Sequence, residues 1–200
     1  MGTANLNYLA HIQLAHHSGT SKLGNFLGDF VKGYDLSRFP VSIQQGIELH
    51  RAIDSYTDNH PITADLRRLF PPELRRMAGV IIDVYFDHLL CRQWHCYNTN
   101  VQSEVLDGFY AELAATQLSV GPRFDRVKQG LIEYRWLTDY AEIEGVIRAY
   151  QHIEQRLKGK IRFADGAATL ITHRHKEMHH AFEQLYPQLQ QFVVKKTTNC

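Results

Sequence analysis

The stretch AGVIIDVYFDHLL, residues 78–90, decides the fold class of this 200-residue chain. Winding at about 100° per residue places Val80, Val84 and His88 along one side of a helix, while Phe86 covers another side. A helix that is apolar nearly all round is buried. Acids interrupt the stretch, and it is shorter than the roughly 20 residues that cross a bilayer. It therefore predicts a central buried helix and no membrane span.

Helix signals extend over the rest of the chain, whereas the alternation typical of strands is almost absent. A first helix over about 20–32 begins at Ser and Thr capping candidates, and a second helix ends near Asp58, before Pro61. The long central helix is predicted to run from Glu73 to about Tyr97. Further helices are expected over about 63–70, 101–117, 122–136, 139–157 and, bending at Pro187, 165–193.

Composition and charge narrow the classes of function. Hydrophobic residues at 44% suffice for one core, so we expect a single all-α helical bundle over residues 1–200, with residues 1–5 as a start-site extension. A formal net charge of +1 does not favour a nucleic-acid partner. The three cysteines form no CxxC pair, and no apolar signal core follows the N-terminus, which favours a cytoplasmic protein.

The central helix carries acids among its apolar residues. Asp83 and Asp87 lie one turn apart on its flank, and His88 occupies a position where a core residue is expected. Taking an ionised carboxylate out of water costs several kcal/mol unless it is paired or binds a cation. Two buried aspartates beside a histidine therefore favour a metal site, with a dense network of ion pairs as the alternative.

A second polar row lies in GIELHRAIDSYTDNHP, residues 46–61. His50, Asp54 and Asp58 follow i, i+4, i+8 spacing, which drifts only about 40° per step and forms one ridge on a helix. Arg51 stands beside His50 and could neutralise phosphate or pair with a carboxylate. Any one of these residues alone is more often a cap or an ion-pair partner. Together with the acids of the central helix they favour a metal site.

A third predicted helix, the first in the chain, also carries an acid, because Asp29 falls beside Phe26 and Phe30. Acids and imidazoles from three helices could thus meet in the core of a bundle. Mixed histidine and aspartate ligands suit manganese, iron, zinc or magnesium. A divalent ion held in this way, with an open position for water, would provide a hydroxide to attack phosphorus or a carbonyl carbon.

The remaining histidines give weaker signals. His11 sits among apolar neighbours, and its pattern fits a core residue and a site residue equally well. His175 and His179 have the i, i+4 spacing of a metal pair, but their polar surroundings favour a solvated helix face. The sequence contains no GxSxG and no glycine-rich phosphate loop, so serine hydrolase and P-loop chemistry have no support.

Four segments in order, NYLAH, GNFLGDFVKG, GIELHRAIDSYTDNHP and DVYFDHLL, resemble the bacterial acyl carrier protein phosphodiesterase (holo-acyl-carrier-protein hydrolase) family. The resemblance is close over the first half of the chain and reaches the second half through helical character and the stretch LYPQL. It implies an all-helical fold distantly related to the HD-type metal phosphohydrolases. It also implies a divalent cation, manganese before magnesium or iron, and removal of phosphopantetheine from holo acyl carrier protein to give the apo protein.

The family's motifs carry the candidate site residues over to this chain. Asp29 matches the GN-DF-G element, while the HR-ID-TD and D-DH elements match His50, Arg51, Asp54, Asp58, Asp83, Asp87 and His88. Asp87 precedes His88, the reverse of the usual order in HD-type enzymes, so the ligand sets of those enzymes do not transfer directly. The metal ligands implied by the resemblance are Asp29, His50, Asp54, Asp83, Asp87 and His88.

The resemblance also implies a mechanism and a protein partner. A metal-activated water would attack phosphorus, Arg51 would counter the negative charge, and an acid or His88 would transfer the proton. Because carrier proteins are generally acidic, basic surface is expected at the docking site, although solvated charge explains each basic cluster equally well. The two clusters are Arg67, Arg68, Arg75 and Arg76, and Arg156, Lys158, Lys160 and Arg162.

Two other classes of function remain open at this point. The first is an HD-like metal phosphohydrolase acting on a nucleotide or another small phosphodiester, since the same polar core would serve it. The second is a non-catalytic helical module that binds a carrier protein and uses the polar core structurally. Activity on a small diester would favour the first, and a protein that binds no metal and forms no product would favour the second.

Overall fold

The computed structural model describes residues 8–158 and 160–198 of the chain. It is 76% helical, and no β-strand occurs within those residues, which confirms the prediction of an all-α protein. The α-helices are α1 (Tyr8–His17), α2 (Lys22–Leu27), α3 (Val41–Asp58), α4 (Pro61–Arg68), α5 (Ala78–Arg92), α6 (Trp94–Tyr97), α7 (Gln102–Ala115), α8 (Pro122–Tyr134), α9 (Ile143–Arg156), α10 (Ala164–His173) and α11 (His175–Thr198). Two 3₁₀ helices cover Arg75–Met77 and Trp136–Ala141. The expected extension over residues 1–5 lies outside the described residues.

Helix α5 is the buried central helix that the sequence predicts. Ile81, Val84 and Leu90 are fully enclosed, and Asp87 and His88 are buried on the same helix. Helices α1, α9 and α11 pack around it. In the part of the chain that the structure describes, none of the helices has the length and hydropathy needed to cross a membrane.

Helix α1 is an element that the sequence patterns above do not assign. All of its residues from Tyr8 to Ala15 are buried, and it packs against α2, α3, α5, α7 and α11. Because a helix enclosed on every side shows no amphipathic periodicity, the pattern that reveals surface helices is missing. This helix places Tyr8 and His11 in the interior, next to the acids of the neighbouring helices.

A close crossing of two helices positions much of the site. A Cβ atom on Gly46 of α3 would lie 2.7 Å from the backbone of Gly24 and of Asn25 in α2, and a Cβ atom on Gly24 would lie 2.7 Å from the carbonyl oxygen of Ile43. Side chains larger than hydrogen are therefore excluded from this contact. Just after α2, a Cβ atom on Gly28 would overlap the His50 side chain. These glycines bring Asn25 and His50 toward each other.

Three predicted helices differ from the observed ones. The first, expected over about 20–32, ends at Leu27, so Asp29 lies in the turn after it and not on a helix. The prediction of a single helix over 165–193 bending at Pro187 is wrong. The helix is interrupted at Arg174, which separates α10 from α11, and Pro187 lies inside α11. The predicted central helix begins later than Glu73, at Ala78 after the 3₁₀ helix Arg75–Met77, and it is interrupted at Gln93, where the backbone leaves the helical region with φ −116° and ψ 20°. The second predicted helix, by contrast, ends at Asp58 as expected, and Pro61 begins α4.

Candidate metal centre

Three side chains from two helices form a group that could hold a metal ion. His11 of α1 and His50 and Asp54 of α3 each offer one ligand atom, and these atoms lie within 4.8 Å of one another. The Nε2 atom of His11 is 3.1 Å from Oδ1 of Asp54, and the Nε2 atom of His50 is 3.2 Å from Oδ2. Neighbouring octahedral ligands at bond lengths of about 2.1 Å are about 3 Å apart. The observed separations are close to that value.

The orientation of His11 is set by Asn25. The Nδ1 atom of His11 lies 2.8 Å from Oδ1 of Asn25, so the Nδ1–H group donates to the amide oxygen. The Nε2 atom then faces the Asp54 carboxylate, where either a proton or a metal cation satisfies both partners. Burial alone would lower the pKa of His11, but the hydrogen bond and negative charge of Asp54 outweigh it, and the pKa is raised. This position therefore favours positive charge.

The second imidazole, His50, stacks on the first, with ring centroids 4.1 Å apart. Burial and the adjacent charge of His11 lower the pKa of His50, although Asp54 opposes this effect. His50 is therefore neutral when His11 carries a proton. The Nδ1 atom of His50 is buried and has no hydrogen-bond partner among the described residues. A buried nitrogen without a partner is costly, which is typical of sites that complete their bonding with a ligand or an ion.

Asp54 is the shared partner of both imidazoles. Burial raises the pKa of its carboxyl, but hydrogen bonds and charge from His11 and His50 reverse the effect and hold the pKa far below its usual range. The carboxylate is therefore ionised at neutral pH. Two imidazole nitrogens and an ionised carboxylate are a donor set that borderline and hard divalent cations accept. The residues present thus fit a divalent metal, and the arrangement does not discriminate among metals.

Two further acids surround this group. Asp83 of α5 is partly exposed, and burial together with the negative charge of Asp54 raises the pKa of its carboxyl well above the ordinary value. Asp29, in the turn after α2, accepts hydrogen bonds from the Tyr8 hydroxyl at 3.1 Å and from Arg123 at 2.6 Å. Burial raises the pKa of Asp29, while the charges of Arg123 and His50 oppose the rise. Both acids act electrostatically on the imidazole group.

The other two candidates on α5 have partners elsewhere. Both carboxylate oxygens of Asp87 accept backbone N–H groups of α1, from Leu9 at 3.1 Å and from Ala10 at 2.9 Å. Burial raises the pKa of Asp87 to about 7, although these two hydrogen bonds lower it. The Nδ1–H group of His88 donates to the Tyr140 carbonyl oxygen at 2.7 Å. The structure does not bring either residue into the group of His11, and their roles as ligands stay predictions.

The remaining candidates on α3 are also engaged outside the group. Arg51 donates to the carbonyl oxygens of Val31, at 3.1 Å, and of Gly33, at 2.7 Å, and so holds the segment that follows α2. Asp58 is exposed and pairs with Arg67 at 2.5 Å. Since i, i+8 spacing drifts by about 80° around a helix, Asp58 has left the face of His50. Their direct participation in catalysis stays a prediction.

Capping by Asp87 leads to a prediction about stability. Replacing Asp87 with alanine is expected to lower the free energy of unfolding by about 2–5 kcal/mol, because two buried backbone N–H groups lose their acceptors. Urea denaturation followed by circular dichroism measures the change. The exposed Asp107, which pairs with Arg135, provides the control, and its replacement with alanine should cost less than about 1 kcal/mol. Equal stabilities of the two variants would contradict the capping role.

Three residues of the site were not assigned from the sequence. Asn25 and Tyr8 offer no spacing signal, since each works through a contact across helices. Arg123 lies 94 residues from Asp29, and its pairing depends on the tertiary fold. His11 carried a usable signal, a histidine within an otherwise apolar segment, which is the same signal that singled out His88.

Comparison with known proteins identifies the family. The family model described as acyl carrier protein phosphodiesterase matches residues 6–189. Curated proteins with that name include one from Klebsiella pneumoniae (strain 342), 33% identical over 195 residues, covering 96% of this chain and 99% of the relative. Another, from Enterobacter sp. (strain 638), is 32% identical over 185 residues, covering 92% of this chain and 95% of the relative.

Further similarity comes from the Pectobacterium atrosepticum protein of that name, 31% identical over 190 residues, covering 94% of this chain and 97% of the relative. No solved structure matches the chain. The relation to HD-type enzymes therefore stays a prediction. The match of the family model spans the helices that carry His11, His50 and Asp54, as well as most of the rest of the fold. The chain belongs to the acyl carrier protein phosphodiesterase family.

Proposed function

We propose that this protein hydrolyses the phosphodiester bond that joins phosphopantetheine to the serine of holo acyl carrier protein. The observation that carries the proposal is the group of His11, His50 and Asp54, with both imidazoles buried where α1 and α3 meet, in a chain of this family. The products are apo carrier protein and phosphopantetheine. The sequence contains neither the GxSxG motif of serine hydrolases nor a glycine-rich phosphate loop.

His11, His50 and Asp54 would hold a divalent metal, with manganese as our first choice and magnesium or iron as alternatives. Such a metal supplies Lewis-acid activation of water and neutralises phosphate charge. Asn25 keeps the Nε2 atom of His11 turned toward the metal position. The carboxylate of Asp54 holds the Nε2 atoms of both imidazoles close to its own oxygens. These donors therefore need little reorganisation before reaction.

Asp83 is the proton carrier in this proposal. Burial and the charge of Asp54 raise the pKa of the Asp83 carboxyl, which favours the protonated form. The side chain of Asp83 is partly exposed. Hydrolysis requires a proton on the serine oxygen as the bond to phosphorus breaks, and the carboxyl of Asp83 would donate it. Two guanidinium groups would counter the charge of the phosphate: Arg51, which donates to backbone carbonyl oxygens, and Arg123, which pairs with Asp29 and whose side chain is 45% exposed.

Intact-mass analysis of the carrier protein tests this function. Purified enzyme is incubated with holo acyl carrier protein and manganese, and we expect the carrier to lose the mass of phosphopantetheine. A parallel sample with excess chelator should keep the holo mass, and re-addition of manganese should restore the loss. An unchanged carrier at high enzyme concentration would reject the proposal. Hydrolysis of a small phosphodiester in the same preparation would then favour the nucleotide-type hydrolase.

A further inference from the structure

A cavity with a volume of about 520 Å³ is bounded in part by Tyr8, whose hydroxyl bonds Asp29. Its inner surface is apolar and aromatic, formed by side chains that include Tyr8, Trp136, Tyr140 and Ile153. Tyr8 and Tyr140 are buried, and Trp136 is half-buried. This volume falls within the range of about 300–1,000 Å³ that is usual for sites binding small organic molecules. The cavity is therefore large enough for a flexible chain of moderate length.

The rim of the cavity is polar and basic. Arg148, His152 and Arg156 follow i, i+4, i+8 spacing along α9, and all three are exposed. Arg148 lies 3.8 Å from the Asp139 carboxylate, and both side chains are more than half exposed, so the guanidinium remains accessible. Hydrogen-bond donors around an apolar interior suit an elongated ligand that carries amide groups on an aliphatic chain.

One residue joins the cavity to the candidate metal centre. The ring of Tyr8 forms part of the cavity wall, and its hydroxyl donates to Asp29, which acts electrostatically on His50. The charge of Arg156 also reaches Tyr8. A ligand in the cavity with one end at Tyr8 would thus place that end on the side of Asp29. Positive charge from Arg123 and Arg156 accompanies this end, as an attached phosphate requires.

We propose that this cavity receives the pantetheine portion of the prosthetic group, with its phosphate-bearing end at Tyr8. The proposal rests on the proposed function, because the ligand assigned to the cavity is the group that the proposed reaction releases. Pantetheine has a dimethyl-substituted carbon, two amides and a terminal thiol. Its aliphatic segments match the apolar wall, and its amides match the donors of Arg148 and Gln155 at the rim.

Calorimetric titration with unphosphorylated pantetheine tests the proposal without hydrolysis. We expect saturable binding to the wild-type protein and at least tenfold weaker binding to Ala149→Phe, which places a ring in the cavity from α9. His152→Trp changes an exposed position on the rim, so it should weaken binding as well while leaving the core intact. Ala114→Phe, on an exposed face of α7 away from the cavity, is the matched control and should bind as the wild type does.

The outcomes separate this proposal from the proposed function. Binding that is weakened by the two cavity substitutions and kept by Ala114→Phe supports the cavity assignment, whether or not holo carrier protein is hydrolysed. Absence of binding at millimolar pantetheine, or equal binding by all variants, overturns it, even if the wild-type enzyme removes phosphopantetheine. Urea denaturation of each variant establishes that the fold is retained before binding is compared.

Discussion

Replacement of Asp54 with asparagine is expected to reduce turnover of holo acyl carrier protein by about 1,000-fold. The amide keeps the size of the side chain but removes the charge that holds the Nε2 atoms of His11 and His50 together. It also removes the ionised ligand on which a divalent metal depends. Steady-state rates from intact-mass analysis measure the loss, and titration calorimetry with manganese should show at least tenfold weaker metal binding.

The matched control for this substitution is Glu48→Gln. Glu48 lies on the same helix, α3, but is exposed, and its neutralisation should leave turnover within about twofold.

Asp54 has a lowered pKa in the fold, so its ionised form stabilises the protein at pH values above the unfolded pKa of about 4. Activity near the wild-type level for Asp54→Asn would remove it from the centre.

Replacement of Gly46 with alanine is expected to lower the free energy of unfolding by about 3 kcal/mol and to impair the site at the same time. The added Cβ atom would lie 2.7 Å from backbone atoms of Gly24 and Asn25, and backbone cannot rotate away as a flexible side chain can. Helices α2 and α3 must therefore separate. Because Asn25 orients His11, the separation disturbs the metal centre as well. Urea denaturation and manganese calorimetry report the two effects.

The control for this substitution is Gly108→Ala in α7. The nearest heavy atom to its added Cβ is the Lys22 amine at 3.5 Å, an ordinary contact with a flexible side chain. Alanine is favoured over glycine inside a helix by about 0.5–1 kcal/mol, so this variant should be slightly more stable than the wild type. Equal loss of stability in both variants would show that the crossing of α2 and α3 is less tightly packed than the structure indicates.

Local sequence patterns predicted helix boundaries and buried helices where neighbouring residues determine them. The boundary at Asp58 follows from the proline three residues later, and the burial of α5 follows from apolar residues on all its sides. The break at Arg174 has no glycine or proline to mark it, and Pro187 is accommodated within α11. Such features depend on tertiary packing, which outweighs local preference.

The candidate site divides in the same way. His50 and Asp54 are one turn apart on one helix, so their spacing alone predicts that they meet. His11 joins them from α1. It lies 43 residues before Asp54 in the chain, and no local pattern encodes a contact over that separation. Asp87 shows the reverse case, since a buried acid that suggests a ligand accepts two backbone N–H groups instead. Burial of an acid thus indicates a partner but does not reveal its kind.

The distribution of these features along the chain bears on how the family can diversify. The grouped imidazoles and carboxylate come from α1 and α3, whereas most of the cavity wall comes from the 3₁₀ helix Trp136–Ala141 and from α9. Mutations in α9 can therefore reshape the cavity while the reactive group stays intact. Tyr8 is the exception, because it borders the cavity and also bonds Asp29. Ligand preference can thus change through mutations in the second half of the chain, whereas the first half is constrained by the reactive group.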